Sequence, residues 1–201
     1  MVKSGRIPVI TGPTAVGKTS ISLIVAKTLG CEIISADSRQ VFRQMHIGTA
    51  SPDAFDLEQV PHHFIAEKEL DEPFSAGIFA REAESRIREI RSRGNCPLIV
   101  GGSTLYLRAL TKGLAEIPDV DSSIRTVLNE RLTAEGSRAL YRQLCDVDPE
   151  FAQTLDFTKT QRIIRGLEVW TGTGVPLSEH FKRTKAPAFD YKYFILNRDR
   201  I

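Results

Sequence analysis

The stretch Gly12-Pro13-Thr14-Ala15-Val16-Gly17-Lys18-Thr19 fits the pattern G-x-x-x-x-G-K-[ST] at every fixed position. Ahead of it, Ile7 to Thr11 is a short apolar run that reads as a buried strand. Behind it, Thr19 to Leu29 alternates apolar and polar residues at helical spacing, with Ile21, Leu23, Ile24, Ala26 and Leu29 expected on the buried side. Strand, glycine-rich turn and helix in that order make a phosphate loop. The glycines let the backbone wrap an anion, several N–H groups point inward, and the helix N-terminus adds positive potential. Lys18 supplies a point charge to phosphate oxygens, and the Thr19 hydroxyl is placed to ligate Mg2+. Most such loops hold ATP or GTP. A nucleotide-driven motor would add a strand of four apolar residues ending in Asp, but here the matching run, Pro97 to Val100, ends in Gly101-Gly102. No N-K-x-D guanine-reading motif is present either.

Working outward, Glu32 to Ser35 is a second short strand, and Phe64 and Ile65 sit in a possible third. Ser75 to Arg93 places apolar atoms of Ile78, Phe79, Ala83, Arg86, Ile87 and Ile90 on one helical stripe, and Gly94-Asn95 ends it. Alternating strands and helices predict a parallel sheet with helices on both faces, an α/β P-loop NTPase-like core over residues 1–114. The texture then changes. Ser122–Glu135, Ser137–Cys145, Pro149–Leu155 and Thr160–Thr171 read as helices with no strand among them, an all-helical insertion over 115–190. Tyr193 to Leu196 looks like a strand again, so 191–201 is expected to return to the core, with the helix that should follow it mostly missing.

Of the 201 residues 41% are hydrophobic and 26% charged, which excludes a disordered chain, and 27 Lys+Arg against 25 Asp+Glu, a net charge of +2, announce no bulk nucleic-acid binder. Cys31, Cys96 and Cys145 are scattered, with no C-x-x-C pair, against both a disulfide framework and a zinc cage. His46, His62, His63 and His180 show no metal-ligand spacing, and the adjacent His62 and His63 point to opposite faces if extended. No run approaches a membrane span, and the N-terminus enters the glycine-rich motif too soon for a signal peptide, so a cytoplasmic protein is expected, without a membrane partner. No amphipathic face is left over for a partner, and a monomer is expected.

Asp37 follows the second strand, at the carboxyl end where open α/β sheets bind ligands. An Asp there can act as a general base, and Asp37, Ser38, Arg39 and Gln40 together suit the reading of a base edge or a backbone. A capped turn, with Asp37 or Ser38 as its cap, accounts for the same residues equally well.

The blocks GPTAVGKTS, SADSRQVFRQMHIGTASP, VPHHFI, FSAGIFAREA, IVGGSTLYLRAL and KTQRIIRGLEVWTGTGVPLS occur in this order, and the set resembles the bacterial tRNA dimethylallyltransferases, also called tRNA isopentenyltransferases. The resemblance implies transfer of a dimethylallyl group from dimethylallyl diphosphate to the exocyclic amine of the adenosine beside the tRNA anticodon. It implies that Gly12, Pro13, Thr14, Ala15, Val16, Gly17, Lys18 and Thr19 hold the diphosphate with Mg2+, and that Asp37 is the general base. It places Asp37, Ser38, Arg39 and Gln40 at the tRNA, together with Gln161, Arg162, Ile163, Ile164 and Arg165. Ser103 and Arg125 are implied at the substrate, Ser103 with a catalytic part. The chain departs from the usual pattern at Ser103-Thr104, where Thr-Gly is usual, at Phe42 for Tyr, and at Ser51 for Lys.

Competing readings are a small-molecule kinase using ATP on the same loop, prenyl transfer to free AMP, and a non-catalytic tRNA-binding fragment. On the helix KTQRIIRGLEVW, the spacing puts Ile163, Gly166, Leu167 and Trp170 on one apolar face and Gln161, Arg165 and Glu168 opposite it, with Arg162 at the border.

Overall fold

The computed structural model describes residues 5–45, 48–115 and 117–197; His46 and residues 198–201 lie outside them. The chain divides into two compact units, one built from residues up to Gly113 and from Ala186 onward, the other from Leu114–Lys185.

The first unit is a five-stranded parallel sheet. Its strands are β1 (Ile7–Thr11), β2 (Cys31–Ser35), β3 (His62–His63), β4 (Cys96–Val100) and β5 (Tyr191–Ile195), in the order β3-β2-β4-β1-β5. β1, β2 and β4 are short and almost wholly buried, as central parallel strands must be when both faces are covered. Between them run α1 (Lys18–Leu29), α2 (Ala54–Gln59), α3 (Ala76–Ser92) and α4 (Thr104–Lys112). α3 starts where Ser75 Oγ accepts the Ile78 N–H, and of the predicted stripe it buries Phe79, Ala83, Ile87 and Ile90, with Ile78 and Arg86 half-buried at its margins. Phe79 stacks on Tyr106 of α4 at 4.7 Å between ring centroids and meets Phe64 at 5.3 Å, which fixes α3 and α4 to one another.

Two expectations need correction. α1 buries only Ser22 and Ala26, while Ile21 is 40%, Ile24 66% and Leu29 63% exposed. The small side chains at 22 and 26 form the seam that lets the helix lie close to the sheet, with Leu23 and Val25 flanking it. The third strand is His62–His63, because Phe64 takes φ 64° and Ala66 φ 51°, which no strand can continue through. β5 spans Tyr191–Ile195, and the residues just before it also run with the sheet: Ile7 N–H donates to Asp190 O at 2.8 Å.

The second unit is all helical: α5 (Ser122–Glu135), α6 (Ser137–Val147), α7 (Pro149–Ala152), α8 (Thr160–Thr173) and α9 (Leu177–Lys182). Leu128, Leu140, Leu144, Phe151, Ile163, Ile164 and Leu167 form its core. Gly166 sits where a Cβ would come within 2.8 Å of Leu144 and 3.1 Å of Phe151, so the glycine admits those side chains against α8. Asp148 is buried and joins two elements: one carboxylate oxygen accepts Phe151 N–H at the start of α7, the other Ser178 N–H in α9.

Candidate active site

All the carboxyl ends of the sheet lie at one edge, and three of them build a cavity. The loop after β1 turns at Gly12, whose Cβ would fall 2.4 Å from Leu196 O, so no other residue fits. Ala15 at φ 64° and Gly17 at φ 96° complete the wrap, and α1 begins at Lys18. No side chain caps this helix start and no acidic residue occupies its first turn, so its first N–H groups and its positive end are left to a ligand. Lys18 Nζ curls back onto the loop, donating to Gly12 O at 2.9 Å and Pro13 O at 2.8 Å.

The second wall follows β2. Ala36 N–H donates to Val100 O at 2.7 Å, extending the β2–β4 ladder by one step before the chain turns. Asp37 Oδ1 accepts the N–H groups of Arg39 at 2.9 Å and Gln40 at 3.3 Å. Asp37 therefore caps its own turn through one oxygen and keeps the other, so the capping and general-base readings are compatible. Gln40 is different: its amide donates to Thr49 O and Ala50 O, both at 3.0 Å, and its Oε1 accepts Ser35 Oγ–H at 3.0 Å. This side chain, expected at the tRNA, ties down its own loop, whereas Ser38 and Arg39 are exposed.

β4 supplies the third wall. A Cβ on Gly101 would stand 2.2 Å from Ala36 O, so the ends of β2 and β4 can press together only over a glycine. Gly102 faces Gly12 O at 3.7 Å and Lys18 Nζ at 3.8 Å from the position of a Cβ. The segment where a motor would carry Asp thus brings bare backbone against Lys18. Ser103 opens α4 with its N–H on Ala36 O at 3.2 Å, and its hydroxyl caps nothing. Ser51 Oγ lies 2.9 Å from Thr49 Oγ1, in the same loop that Gln40 holds.

Lys18, Thr19, Ser22, Ser35, Asp37 and Gln40 line one cavity, closed further by Pro52, His62 and Ile65. His62 is the residue sequence reasoning passed over. Its Nδ1 lies 2.7 Å from Val60 O, which puts the hydrogen on Nδ1 and a lone pair on Nε2, and burial pushes its pKa down. The period of two along an extended chain was the available signal: His63 turns the other way, to Glu32. Behind Asp37, burial and then the Asp37 carboxylate push the Tyr106 hydroxyl up. No group of three or more His, Cys, Asp or Glu side chains comes together to hold a metal among the described residues. The Thr19 hydroxyl lines this cavity and is the hard oxygen donor that a Mg2+ accepts.

The remaining expected residues lie in the helical unit. Arg125 of α5 donates to Glu168 Oε2 at 3.3 Å and to Gln161 Oε1 at 3.2 Å, and Arg165 donates to the same Glu168 oxygen at 2.9 Å. Glu168, which the spacing puts opposite the apolar face, is nevertheless buried. Arg162 and Gln161 are exposed. Ile163 and Ile164 are not available to an RNA: at 1% and 0% exposure they are core.

The model of the IPP transferase family matches residues 40–201. The chain belongs to that family. It is 55% identical over 197 residues to the tRNA dimethylallyltransferase of Salinibacter ruber, and 50% identical over 191 residues to that of Chlorobaculum parvum. These alignments take in 98% and 95% of the chain but 61% of each relative, so the chain spans about three fifths of their length. Among solved structures, a eukaryotic dimethylallyltransferase acting on tRNA is similar with a TM-score of 0.74 at 27% identity, covering 96% of this chain and 48% of that one. The tRNA isopentenylpyrophosphate transferase of Bacillus halodurans is similar with a TM-score of 0.53 at 40% identity, covering 85% of this chain and 57% of that one. An α/β fold with a parallel sheet flanked by helices is what this likeness and the strand order share. Among the described residues, no helix is long and apolar enough to cross a membrane.

Proposed function

We propose that this chain carries the catalytic part of a tRNA dimethylallyltransferase, moving a dimethylallyl group from its diphosphate to the exocyclic amine of the adenosine beside the anticodon. The observation that carries the reading is the cavity itself. A phosphate loop and the free oxygen side of Asp37 line one space, with glycine backbone where a nucleotide-hydrolysing loop would place its carboxylate.

The new bond joins the adenine nitrogen to the prenyl carbon as the carbon–oxygen bond to diphosphate breaks, and the electron pair leaves on the diphosphate. Charge therefore grows on the leaving oxygens, which the uncapped N–H groups of the loop would stabilise, together with Lys18 once a ligand draws its ammonium off the Gly12 and Pro13 carbonyls. A Mg2+ held at the Thr19 hydroxyl would add Lewis-acid stabilisation of the same charge. Asp37 takes the proton that the amine gives up. Its backbone donors at Arg39 and Gln40 fix the carboxylate without occupying both oxygens. Ser103, with its hydroxyl unused as a cap, stands next to this wall for contact with the acceptor. The adenosine must leave the anticodon-loop stack to arrive, at a cost of a few kcal/mol. Arg125, Gln161, Arg162 and Arg165 offer the donors that an RNA backbone or a splayed base requires. The chain works as a monomer, in the cytoplasm where tRNA is found.

The test is prenyl transfer from labelled dimethylallyl diphosphate to an anticodon stem-loop RNA, with AMP as the rival acceptor and ATP as competitor for the loop. Label appearing in the stem-loop and not in AMP supports the reading. Label in AMP assigns the small-nucleotide reaction, and ATP displacing the prenyl donor with phosphoryl transfer assigns a kinase.

A further inference from the structure

Glu168 sits in the last turns of α8 among Ile164, Leu167 and Val169, and it is 4% exposed. A carboxylate in such a place is costly unless paired, and an apolar side chain of its size would stabilise the packing at least as well. Its two partners are not themselves buried: the Arg125 side chain is 44% and the Arg165 side chain 40% exposed. Both guanidinium groups meet the same oxygen, Oε2, from two different helices, α5 and α8. Gln161, two turns earlier on α8, takes a second Arg125 donor, so the four side chains form one chain of hydrogen bonds. Each guanidinium has five N–H donors, and these bonds occupy only a few of them.

We propose that Glu168 is a positioning residue, holding Arg125 and Arg165 side by side so that their remaining donors meet an RNA backbone already oriented. This rests on the tRNA reading given above. Two guanidinium groups against one carboxylate leave a net positive charge, so the pair still attracts phosphate. What the carboxylate removes is the freedom of two long side chains to point elsewhere, a cost that binding would otherwise have to meet. Without it the two cations would also repel each other at close range.

The experiment uses the full chain, an anticodon stem-loop RNA and saturating dimethylallyl diphosphate. Glu168→Gln keeps the shape and deletes the charge. It should raise the KM for the stem-loop by on the order of tenfold, the scale of one charge-assisted hydrogen bond, with the effect in KM rather than kcat. In an Arg125→Ala/Arg165→Ala background the same substitution should change KM no further. A general packing role would instead add the same factor in both backgrounds, and that result, or no change in KM, overturns the proposal. Should Glu168→Gln not fold, Glu168→Asp, which keeps the charge on a shorter arm, carries the same comparison. If the native chain binds no stem-loop RNA, the functional reading fails and this inference falls with it. If the double arginine variant weakens binding while Glu168→Gln does not, the positioning role alone is wrong.

Discussion

Glu32 offers the most quantitative test of what holds the sheet together. It is a buried carboxylate near the start of β2, and it accepts four hydrogen bonds: two from Arg93 at 3.2 and 2.8 Å, one from Asn95 at 2.8 Å and one from His63 at 2.8 Å. Burial alone would raise its pKa, but the bonds from Arg93, Asn95 and His63 prevail and hold it down at about 2, from a usual 4.5. A difference of about 2.5 pKa units corresponds to about 3 kcal/mol of folding free energy, present above the unfolded value and lost as pH falls through the folded one. Glu32→Gln mimics the protonated group. At pH 7 it should therefore be about 3 kcal/mol less stable than the native chain, and at pH 3 the gap should narrow to about 1.5 kcal/mol. Urea unfolding followed by far-UV circular dichroism at the two pH values measures both. The single tryptophan, Trp170, lies in the helical unit, so its fluorescence should not follow the loss. Equal midpoints at pH 7, or a gap that stays constant down to pH 3, would refute the argument that the charge itself is the stabilising element.

Three further perturbations act on the cavity. Lys18→Ala should lower the rate of prenyl transfer by about 10²–10³ with the fold intact, because the ammonium serves charge that is largest in the transition state; steady-state kinetics beside a thermal melt checks both halves. Asp37→Asn should slow turnover by roughly 10²–10⁴ while leaving donor affinity nearly unchanged, read from a diphosphate-binding titration. Gly101→Ala forces a Cβ to within 2.2 Å of Ala36 O, so it should cost about 1–3 kcal/mol in a thermal melt and also reduce turnover, since Asp37 follows Ala36 directly.

The central strands and the phosphate loop were legible because their signals are local: a short apolar run, glycines at fixed offsets, a helix behind. Asp37 was legible for a similar reason, standing directly after a strand. α1 misled because it is apolar on several sides, and the pair that meets the sheet, Ser22 and Ala26, is chosen for smallness rather than hydropathy. Phe64 misled because an aromatic in a left-handed turn looks like strand to any propensity scale. Glu168 was beyond reach for a different reason. On its own helix it belongs to the polar side, and its partner Arg125 stands 43 residues away on another helix. Gln40 likewise reads as a free amide until the loop carrying Thr49 and Ala50 closes over it.

The strand order also sets a timetable. β1 is made long before β5, yet one of its two edges pairs with it, in register from Ile7↔Tyr191 to Thr11↔Ile195. At 5–20 residues per second, a ribosome needs roughly 10–40 s to deliver the second strand after the first. Through that interval the β1 edge stands open to any extended segment that passes. The helical unit, with its own core, lies between the two strands in sequence and can fold while the edge waits. Folding of this sheet should therefore depend on chaperones, and slowing synthesis between residues 114 and 190 should lower the soluble yield.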